Sequence, residues 1–179
     1  MDDIEPKIDH GQFGSRKQRS TTHYLVKLVD FVLEHLEQLK SMSRIIVTDF
    51  SKAFDCVDHN IAIPKLLEMG TRPAVIPWIC DFLSNRSQCV RYNNVLSDWQ
   101  YLSGGVPQGT FNGPIIFMVL ANDAASMNDA NKLALKYVDD LTAIENINAS
   151  NGSTIQTDLN KFDNWALKNN MKLNPTKCM

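Results

Sequence analysis

Positive charge is not in excess in this chain: 18 lysines and arginines stand against 20 aspartates and glutamates, a formal net charge of −2. That balance excludes a protein whose whole surface neutralises a polyphosphate, so phosphate binding could only be local, as where Arg16, Lys17 and Arg19 cluster. Cysteine is scarce and unpatterned. Cys56, Cys80, Cys89 and Cys178 form no CxxC pair and have no histidine at zinc-finger spacing, which argues against a structural zinc site or a disulfide framework and for a reducing, intracellular setting, nucleus or cytoplasm. No apolar run approaches the roughly 20 residues that span a bilayer, and Met1-Asp2-Asp3 lacks the basic-then-apolar order of a signal peptide, so no membrane association is expected. Internal repeats and low-complexity stretches are absent as well. What is there is ordinary for a folded chain: 44% hydrophobic and 21% charged residues over 179 positions, enough for one domain with a real core.

Periodicity places the elements. Leu25, Leu28, Val29, Val32, Leu33 and Leu36 recur at three- and four-residue steps and predict an amphipathic helix capped by Ser20 or Thr21 and ending near Lys40. Ile45 to Thr48 reads as a short buried strand that delivers Asp49 at its end. Helices follow over His59 to Met69 and Ala74 to Leu83. Cys89 to Tyr92 and Gln100 to Leu102 read as two antiparallel strands around a loop, and Gly104-Gly105 breaks the second. Ile115 to Ala121 looks helical; Leu133 to Val138 and Leu141 to Ile144 form a hairpin with Asp139-Asp140 at its tip; Ser153 or Thr154 caps a last helix through Leu159, Phe162, Trp165 and Ala166. A short extended piece then covers Met171 to Leu173. The expected class is α+β with a mainly antiparallel sheet flanked by helices.

Two adjacent aspartates between apolar strands repel each other unless a cation neutralises them, and hard oxygen ligands suit magnesium or manganese. An exposed Asp-Asp pair can equally be a solvated turn. Asp49, also at a strand end, makes a third carboxylate that could converge on the same edge. Two metal ions about 3.5 to 4 Å apart can activate an attacking hydroxyl and stabilise a leaving pyrophosphate oxygen, so such a trio is suited to nucleotidyl transfer. Asp55, Asp58 and His59 imitate a metal set by spacing, but Asp58 reads better as a helix N-cap.

Ordered motifs then carry a family resemblance over nearly the whole chain: Gln12-Phe13-Gly14 with Arg16, Arg19, Ser20 and Thr21; Asp49-Phe50-Ser51-Lys52-Ala53-Phe54-Asp55; Gly105-Val106-Pro107-Gln108-Gly109-Thr110; Tyr137-Val138-Asp139-Asp140; and Trp165 with Leu173-Asn174-Pro175-Thr176-Lys177. In this order they resemble the reverse transcriptases of non-LTR retrotransposons. The resemblance implies a right-hand polymerase palm over residues 21–179 behind a polar lead-in at 1–20, with fingers incomplete and the thumb absent. It implies two Mg2+ ions, with Mn2+ as a substitute, held by Asp49, Asp139 and the supporting Asp140, and Lys177 donating a proton to the departing pyrophosphate. It further implies that Phe50, Ala53, Phe54, Gln108, Gly109 and Arg16 contact substrate, Phe54 excluding a 2′-hydroxyl. The implied partners are an RNA template, a DNA primer and deoxynucleoside triphosphates. Read without the motifs, Phe54 would be a core aromatic, Pro107-Gln108-Gly109 a turn and Lys177 a solvated charge.

Phe111-Asn112-Gly113-Pro114 departs from the family's usual small or basic residue followed by Leu-Gly-Pro, and Val138 replaces its usual alanine. With the basic clamps missing, the expectation is a truncated RNA-directed DNA polymerase domain of weak or no activity; the alternative is a non-catalytic nucleic-acid-binding remnant.

Overall fold

A computed structural model of the protein describes residues 4–37, 41–125, 127, 129–148 and 152–179. A single-turn 3-10 helix, Glu5–Lys7, leads to α1 (Thr21–Leu36), whose N-cap Ser20 accepts from the His23 amide. The expected end near Lys40 lies outside the described residues. β1 (Ser41–Thr48) is followed by α2 (His59–Glu68), where Asp58 accepts from the Asn60 amide as the sequence predicts, and by α3 (Ile76–Leu83). Four two-residue strands come next, β2 (Ser87–Gln88), β3 (Arg91–Tyr92), β4 (Val95–Leu96) and β5 (Gln100–Tyr101). The chain continues through α4 (Asn112–Leu120), β6 (Lys132–Tyr137), β7 (Asp140–Asn148) and α5 (Ile155–Lys168).

The main sheet has the order β1-β7-β6, antiparallel throughout. β7 lies in the middle and is buried along almost its whole length, because helices cover both faces. On one face Phe13, Leu135 and Ile144 pack with Tyr24, Leu28, Phe31 and Val32 of α1. On the other, Phe50, Leu141, Phe162 and Ala166 join the main core built around α4, whose Ile116 to Leu120 are all buried. The α+β class with an antiparallel sheet is therefore observed.

Three expectations need correction. β1 is an edge strand, not a buried one: Ile45 is exposed, and beyond it the Val47 amide and carbonyl bond the chain end at Met179. In α1 only Leu28 and Val32 of the expected stripe face the sheet, while Leu25, Val29, Leu33 and Leu36 are exposed, since three strands are too narrow to cover so broad an apolar face. Cys89 to Tyr92 does not pair with Gln100 to Leu102. β3 pairs with β4 across Asn93-Asn94, both with positive φ, and β2 pairs with β5.

Candidate active site

Register brings the acids together. Thr48 pairs with Leu141 at the end of the β1–β7 ladder, so Asp49, one residue beyond Thr48, and Asp140, one before Leu141, emerge at the same sheet edge. Tyr137 pairs with Asp140, which leaves Val138 and Asp139 as the two residues of the turn. A cleft of about 460 Å³ opens there. Its lining includes Asp49 and Asp139, Phe50, Ala53 and Phe54 from the loop after β1, Gln108 and Gly109 from the loop before α4, and Lys177 from the chain end. Eight residues singled out in the sequence thus meet in one hollow.

Two do not. Asp140 is exposed and does not line the cleft, and Arg16 is held elsewhere, its guanidinium on Glu5 at 2.8 Å and on the Asp9 and Gln12 carbonyls. Arg16 anchors the leading segment and is not available to substrate in this arrangement. Lys52 and Pro114 also line the cleft. Both stand inside motifs read in the sequence but received no role, and no periodicity signals that Lys52 takes a positive φ that turns the chain at the cleft mouth.

The loops that carry these residues are bonded to one another. Gly105 donates to the Val57 carbonyl and Val106 to the Phe54 carbonyl, each at 2.8 Å. A Cβ at Gly105 would sit 2.9 Å from the Asp55 carbonyl oxygen, and its φ of +75° is left-handed, so glycine is required twice over. Gly109 has the same φ, yet a Cβ there would meet nothing within 4 Å: its bare side faces open space. Phe54 stacks on Phe117 at 5.2 Å, and Phe50 is buried among Phe117, Phe162 and Trp165 as the hydrophobic root of its loop. The Gln108 amide donates to Asp55 at 3.3 Å, and Asp58 and His59 serve as helix cap and partner of the Gly105 carbonyl, so the imitation metal set is structural.

Electrostatically the site is a group of acids with the Lys177 ammonium paired to one of them. Lys177 Nζ lies 3.0 Å from Asp49 Oδ2, an oxygen that is buried and apart from this ion pair has no partner. The contact with Asp49, reinforced by the charges of Asp140 and Asp139, raises the Lys177 pKa above that of an ordinary lysine. Asp140 is raised too, by partial burial and then by the neighbouring Asp139 and Asp49 charges, against the opposing pull of Lys177. Among the described residues no set of three or more His, Cys, Asp or Glu side chains is arranged to enclose a metal ion. The donor chemistry nonetheless suits a hard cation: two cleft carboxylates, one with an orphaned buried oxygen already drawing in an ammonium.

A family model described as reverse transcriptase (RNA-dependent DNA polymerase) matches residues 1–179. The chain belongs to this family. Among its relatives, this reverse transcriptase chain is 31% identical over 188 residues to the RNA-directed DNA polymerase from mobile element jockey of Drosophila melanogaster, covering 98% of the chain and 20% of that protein. The jockey polymerase of Drosophila funebris is 29% identical over 185 residues, with 99% and 20% covered. The chain thus spans about a fifth of the length of these relatives. Among solved structures, apo telomerase from Candida tropicalis superposes with a TM-score of 0.68 at 15% identity, covering 96% of the chain and 33% of that protein. Telomerase from Candida albicans in complex with an RNA fragment gives 0.67 at 13%, covering 99% and 33%. These two matches establish the polymerase fold. No helix among the described residues is long and apolar enough to cross a membrane.

Proposed function

We propose that the chain is the palm region, residues 21–179 with a lead-in at 1–20, of an RNA-directed DNA polymerase from a non-LTR retrotransposon, and that its cleft joins deoxynucleotides to a DNA primer on an RNA template. The observation that carries this reading is the convergence of Asp49 and Asp139 with the Phe54, Gln108 and Lys177 side chains in one cleft of a reverse transcriptase family member. Magnesium, or manganese in its place, would be held by Asp49 and Asp139 with Asp140 in support, and would supply charge stabilisation for an in-line displacement of pyrophosphate. The remaining roles fall to the chain itself. Lys177, held protonated by its acidic neighbours, is placed to hand a proton to the leaving group. Phe54, braced by Phe117, offers a rigid ring against the sugar. Gly109 leaves room for a nucleotide or template base to approach the backbone.

Magnesium-dependent primer extension on an RNA template tests the reading: weak extension by the purified chain, seen at high enzyme and lost in Asp139→Ala, is the expected result for so short a part of the polymerase, and no extension even at high enzyme contradicts it. A second reading, a remnant that binds nucleic acid without catalysis, draws on the outward placement of Asp140 and the ion pair already on Asp49. It requires salt-sensitive gel shifts without metal that are unchanged in Asp49→Ala.

A further inference from the structure

The geometry points to Gly14 as a positioning residue that clamps the Val138-Asp139 turn and thereby fixes the Asp139 carboxylate in the cleft. This inference rests on the reading of Asp139 as a cation ligand. Val138 has φ +61°, a left-handed conformation at the first position of a two-residue hairpin turn where glycine is the usual occupant, and a β-branched side chain makes it costly. Something must hold it. Residues 11–14 lie along the outer edge of β6 beside that turn: Lys136 donates to the Gly11 carbonyl, Phe13 donates back to Lys136, each at 2.8 Å, and Gln12 forms a parallel bridge with Lys136.

Gly14 then abuts the turn itself. A Cβ on it would lie 2.6 Å from both the Val138 amide nitrogen and Cγ2, and 3.0 Å from the Tyr137 carbonyl carbon. Gly14 does not have a positive φ, so its own backbone does not demand glycine; the demand comes from Val138. Arg16, bound to Glu5 and to the Asp9 and Gln12 carbonyls, stiffens the segment that presents Gly14.

The test is Gly14→Ala in the full chain, read by Mn2+ binding in EPR titration and by NMR amide exchange and the φ-sensitive coupling constant at Val138. Displacement of the turn is expected to weaken Mn2+ binding by roughly 10- to 100-fold, the range typical of lost outer-shell support, with the coupling constant at Val138 changed. A folded variant with wild-type affinity and an unchanged coupling overturns the clamp. Should Gly14→Ala fail to fold, Val138→Gly decides instead: it removes the Cγ2 contact while keeping glycine at 14, so weakened Mn2+ binding with faster amide exchange at 138 supports the clamp, and wild-type values for both overturn it. If the wild type binds no Mn2+, the metal reading of Asp139 falls, and the Val138 coupling and exchange alone decide the clamp, which is lost if Gly14→Ala leaves both unaltered.

Discussion

At the scale of single residues the site stores repulsion. Asp49, Asp139 and Asp140 share one sheet edge, and the burial and neighbouring charge that raise the Asp140 pKa are costs borne by the folded state alone. Because the folded chain binds this proton more firmly than the unfolded chain, Asp140 favours folding most below the ordinary carboxyl pKa of about 3.9. That contribution is lost as pH rises through its elevated value. Asp140→Asn should therefore be more stable than the wild type at neutral pH in metal-free buffer, with the difference closing in acid. Urea unfolding of both proteins at neutral and acid pH measures it, and a variant less stable at neutral pH would contradict the repulsion. Lys177 relieves part of the strain now, and a bound cation would relieve the rest at the same Asp49 oxygen.

At the scale of elements, β7 is the part on which the others converge. Its Glu145 is buried, accepts from the Ser153 hydroxyl and from the Thr154 amide and hydroxyl, and lies 3.9 Å from Lys132. Burial alone would raise its pKa; the hydrogen bonds from Ser153 and Thr154 outweigh that and hold it low. Glu145→Gln is expected to cost about 2 kcal/mol at neutral pH, as for hydrogen bonds to a charged group. The penalty should fade as pH drops below the ordinary glutamate value, where the wild type loses the same contribution. Denaturant titration at the two pH values checks both the size and the sign. The same contacts show why sequence misassigned these hydroxyls. Ser153 and Thr154 carry the pattern of a helix cap, but the buried Glu145 carboxylate on the preceding strand claims both hydroxyls, so Thr154 is the α5 N-cap without a side-chain cap bond. Where the signal is local, the reading holds: the Ser20 and Asp58 caps and the β6–β7 hairpin follow from adjacent residues, although the turn is Val138-Asp139, one residue earlier than the expected Asp139-Asp140 tip, because Asp140 pairs with Tyr137. Where partners are distant or the choice is among short strands, as in β2 to β5, alternation cannot select the pairing.

At the scale of the whole molecule, the modest net charge of −2 sits beside a site that gathers acids, so an acidic cleft rather than a general phosphate-binding surface is what this chain presents. Family membership and the convergence of motif residues were legible because the motifs are contiguous in sequence. The outward turn of Asp140 and the structural use of Arg16 were not, since both depend on register and on partners, Glu5 and the β1–β7 ladder, that no motif encodes. The isothermal titration of Mn2+ into the wild type, Asp49→Asn and Asp139→Asn tests the cleft most directly. Saturable binding by the wild type that is lost in both variants is the expected result; no binding by the wild type, or binding that survives both substitutions, would contradict a cation site built from these two carboxylates.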